Sequence, residues 1–256
     1  MTEREAAPLF GRNPVLEALR AAGRSVDEVA ILSEGRGPAL QELLTLARSR
    51  QVKVSYRTRE QLTAMAGTPH HQGVVARVAE AAYASLDDLL RVPGERGEPA
   101  FFLALDRIQD PRNLGAVLRS AEATGAHGVI LPKHQAAGLT PAAAKAAMGA
   151  LEHIPVARET NMVQALELLK KESIWVMGAA QQGGRDPWSV DLTAPVCLVL
   201  GGEGVGLRPL VTRSCDMLLT LPMRGKIGSL NVSAAATALC YEVVRQRMAA
   251  PGSKRP

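Results

Sequence analysis

Three stretches beyond residue 100 follow one order of features: an apolar strand, a loop of glycine and polar residues, and in most cases a helix. They cover residues 101–125, 196–207 and 218–247. Parallel strands need long crossover connections that are usually helical, so this repeated order favours a mainly parallel sheet with helices on both faces. Open α/β sheets bind their ligands at the carboxyl ends of the strands. The sequence therefore predicts a binding site at these loops.

The alternation of strands and helices extends over residues 99–250, which we expect to form one α/β domain. Strands are expected at 101–106, 128–131, 153–157, 173–179, 196–200 and 217–222. Helices are expected at 113–125, 141–150, 161–171, 207–213 and 231–248.

A smaller α/β unit is expected over residues 1–79, where Asn13 and Pro14 fit the N-cap and first turn of a helix. Residues 80–98 combine an excess of acids with proline and glycine, which is typical of a linker, and a short helix is expected within them at 85–91. Residues 251–256 are expected to be a disordered tail.

The composition excludes several classes of protein. No apolar run reaches the roughly 20 residues of a membrane helix, and the first residues lack the apolar core of a secretory signal. An odd number of widely spaced cysteines suggests neither disulfides nor a zinc site, so we expect buried thiols, no metal and a cytoplasmic location. The three are Cys197, Cys215 and Cys240.

The net charge of +5 and the pI of about 9.4 favour a polyanionic partner. Aromatic residues make up only 3% of the chain, too few for an aromatic sheet that stacks single-stranded bases. If RNA is the partner, phosphate contacts and a few pockets must provide the recognition.

The glycine-rich loop at 201–206 matches neither common nucleotide motif. A third glycine of G-x-G-x-x-G would fall at Leu207, and no Gly-Lys-Ser/Thr follows to complete a P-loop. Its glycines would let a backbone approach a ligand closely, with Glu203 among them. The alternative is a tight turn that exposes an acid.

The other two loops offer N-caps and a helical arginine. Asn113 and Asn231 each stand where a helix is expected to begin, and Ser229 is placed to bond loop backbone. Arg119 lies off the apolar stripe of its helix, so it faces either a ligand or water, where Glu122 offers an ordinary ion pair.

Taken in order, the motifs N-L-G-A-V-L-R-S-A, L-G-G-E-G-V-G-L and L-P-M-x(5)-S-L-N-V-S-x-A resemble the SpoU/TrmH branch of the SPOUT methyltransferases. The segments FGRNPVLEA, HQGV and GALEHIP are similar to bacterial 23S rRNA guanosine 2′-O-methyltransferases. The resemblance implies a trefoil-knotted methyltransferase domain with a parallel sheet, preceded by a ribosomal-protein-like RNA-binding domain. It also implies a homodimer that joins through the catalytic domain.

The same resemblance implies methyl transfer from S-adenosylmethionine to a guanosine ribose 2′-OH in 23S rRNA. The cofactor would lie against Leu200, Gly201, Gly202, Leu221, Met223 and Leu230. The catalytic residues would be Asn113, Arg119, Glu203, Ser229 and Asn231. Because a free guanidinium is a poor base, with a pKa above about 12, Arg119 is either the base or a clamp on the target phosphate.

The small unit would contact RNA phosphates through arginines, or these arginines would only solubilise its surface. The candidates are Arg12, Arg20, Arg24, Arg57 and Arg59. We expect His70 and His71 to be structural or RNA-contacting rather than metal ligands, since no other ligands accompany them.

Three alternative functions remain at this stage. They are a tRNA ribose methyltransferase, a non-catalytic RNA-binding assembly factor, and a nicotinamide-dependent enzyme, which the failed dinucleotide motif disfavours.

Overall fold

The structure is a computed structural model, and it describes residues 6–21, 25–35, 37–79, 81–204 and 206–250. The strands are β1 Ala6–Phe10, β2 Val26–Leu32, β3 Lys53–Arg57, β4 Val74–Ala79, β5 Phe101–Asp106, β6 Gly128–Pro132, β7 Val156–Glu159, β8 Trp175–Ala179, β9 Val196–Gly201 and β10 Met217–Leu219. The α-helices are α1 Arg12–Arg20, α2 Pro38–Ser49, α3 Arg59–Ala66, α4 Leu86–Arg96, α5 Pro111–Ala123, α6 Pro141–Ala147, α7 Met162–Lys171, α8 Pro209–Ser214 and α9 Val232–Ala249.

The larger of two compact units comprises residues 83–138 and 154–256. Its six strands form one parallel sheet in the order β10-β8-β9-β5-β6-β7. Every residue of the central strand β5 is buried, as expected for a parallel strand that is covered on both faces. The predicted α/β fold with a parallel sheet is thereby confirmed, and the trefoil knot stays a prediction of the resemblance.

The smaller unit comprises residues 1–82 together with 139–153. Its sheet has the order β1-β4-β2-β3, in which β2 and β3 are parallel and the other pairs are antiparallel. Strand β1 was not predicted, because its Ala-Ala-Pro-Leu-Phe sequence has no period-two alternation.

This division differs from the predicted scheme of 1–79, 80–98 and 99–250. Helix α6 falls in the smaller unit, where Ala144 joins the core formed by Val15, Ala18 and their neighbours. The segment predicted as a linker contains α4, which is longer than expected, and Leu89 on that helix is fully buried in the core of the larger unit. The predicted tail at 251–256 lies outside the described residues.

Two predicted N-caps are wrong. Helix α5 begins earlier than expected, because the Asp110 side chain caps it by accepting from the Arg112 N–H and Pro111 occupies the first turn. Asn113 therefore lies inside the helix. Helix α1 follows Gly11, and Asn13 is likewise helical. The predicted cap at Asn231 is confirmed, since its side chain accepts from the Ser233 N–H at 2.9 Å.

Candidate functional site

The site lies at the carboxyl edge of the large sheet, where β5 and β9 run side by side. These strands are in register to their last residues, so Asp106 pairs with Gly201. The loops that follow the two strands therefore start next to each other. The first two motifs meet because β5 and β9 are adjacent parallel strands, although the motifs are far apart in sequence.

Three predicted catalytic side chains form one hydrogen-bonded cluster. The Asn113 amide donates to Glu203 Oε1 at 2.6 Å, and the Asn231 amide donates to the same oxygen at 2.7 Å. Asn231 Nδ2 also lies 3.1 Å from Asn113 Oδ1. Each of the three motifs thus contributes one residue, and the carboxylate is held by neutral donors in an exposed position.

A cavity of about 320 Å³ opens beside this cluster, at the ends of β8, β9 and β10. All six predicted cofactor-binding residues line it, as do three of the predicted catalytic residues. The six are Leu200, Gly201, Gly202, Leu221, Met223 and Leu230, and the three are Glu203, Ser229 and Asn231. The wall is mainly aliphatic, with Leu219 and Leu239 beside backbone groups of the glycine loop.

The glycines of this loop have two different reasons to be glycine. A Cβ on Gly201 would lie 2.1 Å from the backbone carbon of Gly206, and one on Gly202 would lie 2.5 Å from the carbonyl oxygen of Arg107. Gly204 and Gly206 instead have positive φ, at 77° and 69°. Gly201 and Gly202 therefore lack side chains because neighbouring backbone occupies that space. The sequence instead predicted that the space would be left for a ligand.

A buried ion pair, which was not predicted from the sequence, holds both ends of the glycine-rich loop at 201–206. The Asp106 carboxylate is fully buried and accepts from Arg208, through the backbone N–H at 2.9 Å and Nε at 2.7 Å. The carbonyl of Asp106 also accepts from the Gly202 N–H at 2.8 Å. The sequence did contain a signal for this ion pair, namely an aspartate at the end of an otherwise apolar strand. A carboxylate that is buried at such a position needs polar partners.

Two predicted catalytic residues stand apart from the cluster. Arg119 lies six residues after Asn113 on α5, about 120° around the helix and about 9 Å along it. It is exposed and forms no hydrogen bond or ion pair, with Glu122 or any other residue, in the part of the chain that the structure describes. Ser229 lines the cavity but forms no loop-holding hydrogen bond among the described residues.

The predicted RNA-contacting arginines divide into two groups in the smaller unit. Arg20 pairs with Glu17 at 2.6 Å, and Arg57 lies 3.6 Å from Glu28. The other two described arginines, Arg12 and Arg59, line an open cleft together with Lys145 and His70. Arg24 lies outside the described residues.

Both predicted histidine positions lie beside this cleft, and His71 is structural. It is buried, its Nδ1 accepts from the Gly73 N–H at 3.0 Å, and its Nε2 lies 3.3 Å from Thr63 Oγ1. Burial lowers the pKa of His71, and the charges of Arg59 and Lys145 lower it further. The neutral ring therefore fixes the turn that forms one wall of the cleft.

The larger unit also buries a neutral histidine and its thiols. Burial lowers the pKa of His127, whose Nδ1 accepts from the Phe101 N–H at 3.0 Å. Burial raises the pKa of Cys215 and of Cys240 to about 12, and it raises that of Cys197 as well. These groups support the fold and are not part of the site.

Comparison with known proteins gives two family matches that follow the two units in outline. A model described as the SpoU rRNA Methylase family matches residues 100–241, and one described as RNA 2′-O ribose methyltransferase substrate binding matches residues 8–84. Among the described residues, no helix is long and apolar enough to cross a membrane.

Two curated relatives match almost end to end. A putative TrmH family tRNA/rRNA methyltransferase, YacO of Bacillus subtilis, is 44% identical over 93% of this chain and 95% of its own. The 23S rRNA (guanosine-2′-O-)-methyltransferase RlmB of Ralstonia nicotianae is 40% identical over 95% and 97%.

Solved structures agree with these matches. The SpoU methyltransferase AviRb from Streptomyces viridochromogenes, crystallised with AdoMet, has a TM-score of 0.78 at 29% identity and covers 96% of this chain and 92% of its own. An AdoMet-bound rRNA methyltransferase from Sinorhizobium meliloti has a TM-score of 0.77 at 26% identity, with 95% and 88% covered.

Proposed function

The chain belongs to the SpoU rRNA methylase family, and on that basis we propose that it methylates a guanosine ribose 2′-OH of 23S rRNA with S-adenosylmethionine. The observation that carries the proposal is the Asn113–Glu203–Asn231 cluster at the rim of the cavity. It joins one residue from each motif at a single point, where a substrate hydroxyl would meet a ligand in the cavity.

The cavity fits the methyl donor in volume and in the chemistry of its lining. Its volume falls within the roughly 300–1,000 Å³ typical of small-molecule sites, and its leucine side chains suit an adenine ring. Gly201 and Gly228 also line the cavity, where their backbone groups would hydrogen-bond a base edge. When bound there, S-adenosylmethionine supplies a methyl group on a good leaving group, the sulfonium.

The residues of the chain then have to hold the ribose in line and remove a proton. Glu203, held by two amides, accepts a hydrogen bond from a ribose hydroxyl, and Asn113 and Asn231 fix the direction of that carboxylate. Arg119 either takes the proton once a phosphate has drawn one of its own protons away, or clamps the target phosphate. Ser229 shapes the wall beside them.

A homodimer is the simplest arrangement that would bring Arg119 to an Asn113–Glu203–Asn231 cluster. Arg119 stands off the cluster of its own chain and has no partner among the described residues. Helix α9 exposes a stripe of small and apolar residues at Ala234, Ala238, Tyr241 and Met248, which suits contact with a second copy. In such a dimer the partner's arginine completes the site.

Methyl transfer to RNA tests the proposal directly. We expect calorimetry to show S-adenosylmethionine binding, and we expect methyl transfer to 23S rRNA transcribed in vitro, with the product mapped as a 2′-O-methylguanosine. Arg119→Ala is expected to abolish transfer while cofactor affinity stays within a few-fold. Arg91→Ala, an exposed arginine on α4, is the matched control.

Three outcomes would contradict parts of the proposal. Absent cofactor binding by the folded protein refutes the assignment of the cavity. Methylation of tRNA in place of 23S rRNA refutes the substrate. Full activity of Arg119→Ala refutes both roles of that residue.

A further inference from the structure

Among the described residues, the cleft in the smaller unit is lined by cations and by no carboxylate. It encloses about 760 Å³ between the starts of α1 and α3, the turn at 69–74 and helix α6. Arg12, Arg59 and Lys145 line it, and no Asp or Glu is among the lining residues. None of the three cations pairs with a carboxylate of the part of the chain that the structure describes. By contrast, Arg20 and Arg57 on the same unit do form ion pairs.

Lys145 is held in place although it lacks a carboxylate partner. Its Nζ donates to the carbonyl of His70 at 3.0 Å and lies 4.3 Å from the centroid of the Phe10 ring. These contacts position the ammonium group without neutralising it. A fixed, uncompensated charge at a cleft is suited to an anion.

Hydrogen bonds also join the start of α1 to the turn that lines the cleft. The side chain of Gln72 accepts from the Arg12 N–H at 3.1 Å, and Arg12 Nε donates to the Gln72 carbonyl at 3.3 Å. Gln72 itself has a left-handed φ of 54°, a strained conformation that the buried His71 and the following Gly73 stabilise. Strain of this kind is characteristic of binding sites.

Lys145 comes from the part of the chain that matches the methylase model, at 100–241, and not from the part that matches the substrate-binding model, at 8–84. Residues 139–153 nevertheless belong to the smaller unit, where Glu17 lies 3.1 Å from His153 and Ala144 is part of the core. The cleft is thus composed of both sequence segments.

We propose that this composite cleft binds a backbone phosphate of the RNA substrate, with Lys145, Arg12 and Arg59 as its ligands. The inference rests on the function proposed above and adds an RNA contact from residues 139–153. Phosphate contacts position an RNA on a protein and carry the salt dependence of its binding.

Salt-dependent RNA binding tests the cleft. The probe is 23S rRNA transcribed in vitro, titrated at several NaCl concentrations against Lys145→Gln and Arg59→Gln. Each variant is expected to weaken binding roughly tenfold, the size of one charge-assisted hydrogen bond. Each is also expected to lower the slope of log K against log salt by about one. Lys53→Gln and Arg48→Gln, exposed on the same unit and outside the cleft, are matched controls.

Methylation kinetics separate this proposal from the function on which it rests. The cleft variants should raise KM for RNA and leave kcat and S-adenosylmethionine affinity unchanged. If they behave like the controls while the unaltered protein methylates RNA, the cleft proposal alone is overturned. If the unaltered protein neither binds nor methylates RNA, the proposed function fails. If inorganic phosphate or guanosine monophosphate binds in a Lys145-dependent way while RNA binding is unchanged, the cleft is a small-anion site and the RNA assignment is overturned.

Discussion

Removal of the Arg208 guanidinium should destabilise the larger unit and release the glycine loop. Asp106 is 0% exposed and accepts from Nε of Arg208 at 2.7 Å and from its backbone N–H at 2.9 Å, and Nη2 of Arg208 lies 2.7 Å from the same carboxylate. Arg208→Ala keeps only the backbone donor. The carboxylate would then stay buried with most of its compensation lost.

The size of the effect follows from the burial of the two partners. Breaking a buried ion pair by deleting one partner costs about 3–5 kcal/mol. The Arg208 side chain is 37% exposed, so water can partly replace it, and the lower end of that range applies. We expect the free energy of unfolding to fall by about 3 kcal/mol. Arg213→Ala, near the exposed end of helix α8, which follows Arg208, should change the free energy of unfolding by less than about 0.5 kcal/mol.

Tryptophan fluorescence in urea is the suitable assay. Both tryptophans of the chain, Trp175 and Trp188, lie in the larger unit, so the signal reports on that unit alone. The same variant should bind S-adenosylmethionine more weakly, because Glu203 lies in the loop that the ion pair closes. In the background of Asp106→Asn, Arg208→Ala should cost less than half as much. A loss below about 1 kcal/mol for the single variant would refute the argument that the buried carboxylate depends on this arginine.

Three further predictions concern the loop, the buried histidine and the thiols. Gly201→Ala should lower the free energy of unfolding by about 3 kcal/mol and abolish cofactor binding in calorimetry, because the new Cβ would collide with backbone. Gly204→Ala should lower it by only about 1 kcal/mol, since no atom is in the way and only the positive φ is strained. Equal effects of the two substitutions would contradict this reasoning. The pKa of His127 is lowered in the folded state, so its contribution to stability is complete above the unfolded pKa of about 6.5 and is lost as the pH falls below it. Urea unfolding between pH 7.5 and 5.5 should therefore show falling stability, with a weaker dependence in His127→Gln. The cysteines should react with a thiol reagent at pH 8 only after unfolding, since burial raises their pKa; rapid labelling of the native protein would contradict this.

The sequence by itself determined most elements of the larger unit and the candidate residues of its site. Four of its six strands were predicted to within about two residues at either end, because buried parallel strands leave unbroken apolar runs between glycine and polar loops. Strand β7 was placed about three residues too early, and β10 ends about three residues before its predicted end. Among the residues that line the cavity, the motifs contain Glu203, Ser229 and Asn231, whereas Ala179, Ala180 and Gln181 lie outside the motifs.

The sequence was less reliable wherever a local signal had a close competitor. Asn113 has the chemistry of an N-cap, but the Asp110–Pro111 pair just before it starts the helix and turns Asn113 towards Glu203. Strand β1 of the smaller unit was not predicted, because its short sequence has no periodic pattern. Its strand conformation depends on pairing with β4.

Only the tertiary structure decided which distant groups meet. The ion pair of Asp106 with Arg208 spans 102 residues, and the smaller unit joins residues 1–82 to residues 139–153 across the intervening α4, β5, α5 and β6. Neither has a local pattern, because both arise from burial shared by elements far apart in sequence. The motifs contain the proposed catalytic residues, whereas long-range packing determines that Gly201 must be glycine and that Lys145 donates to the carbonyl of His70.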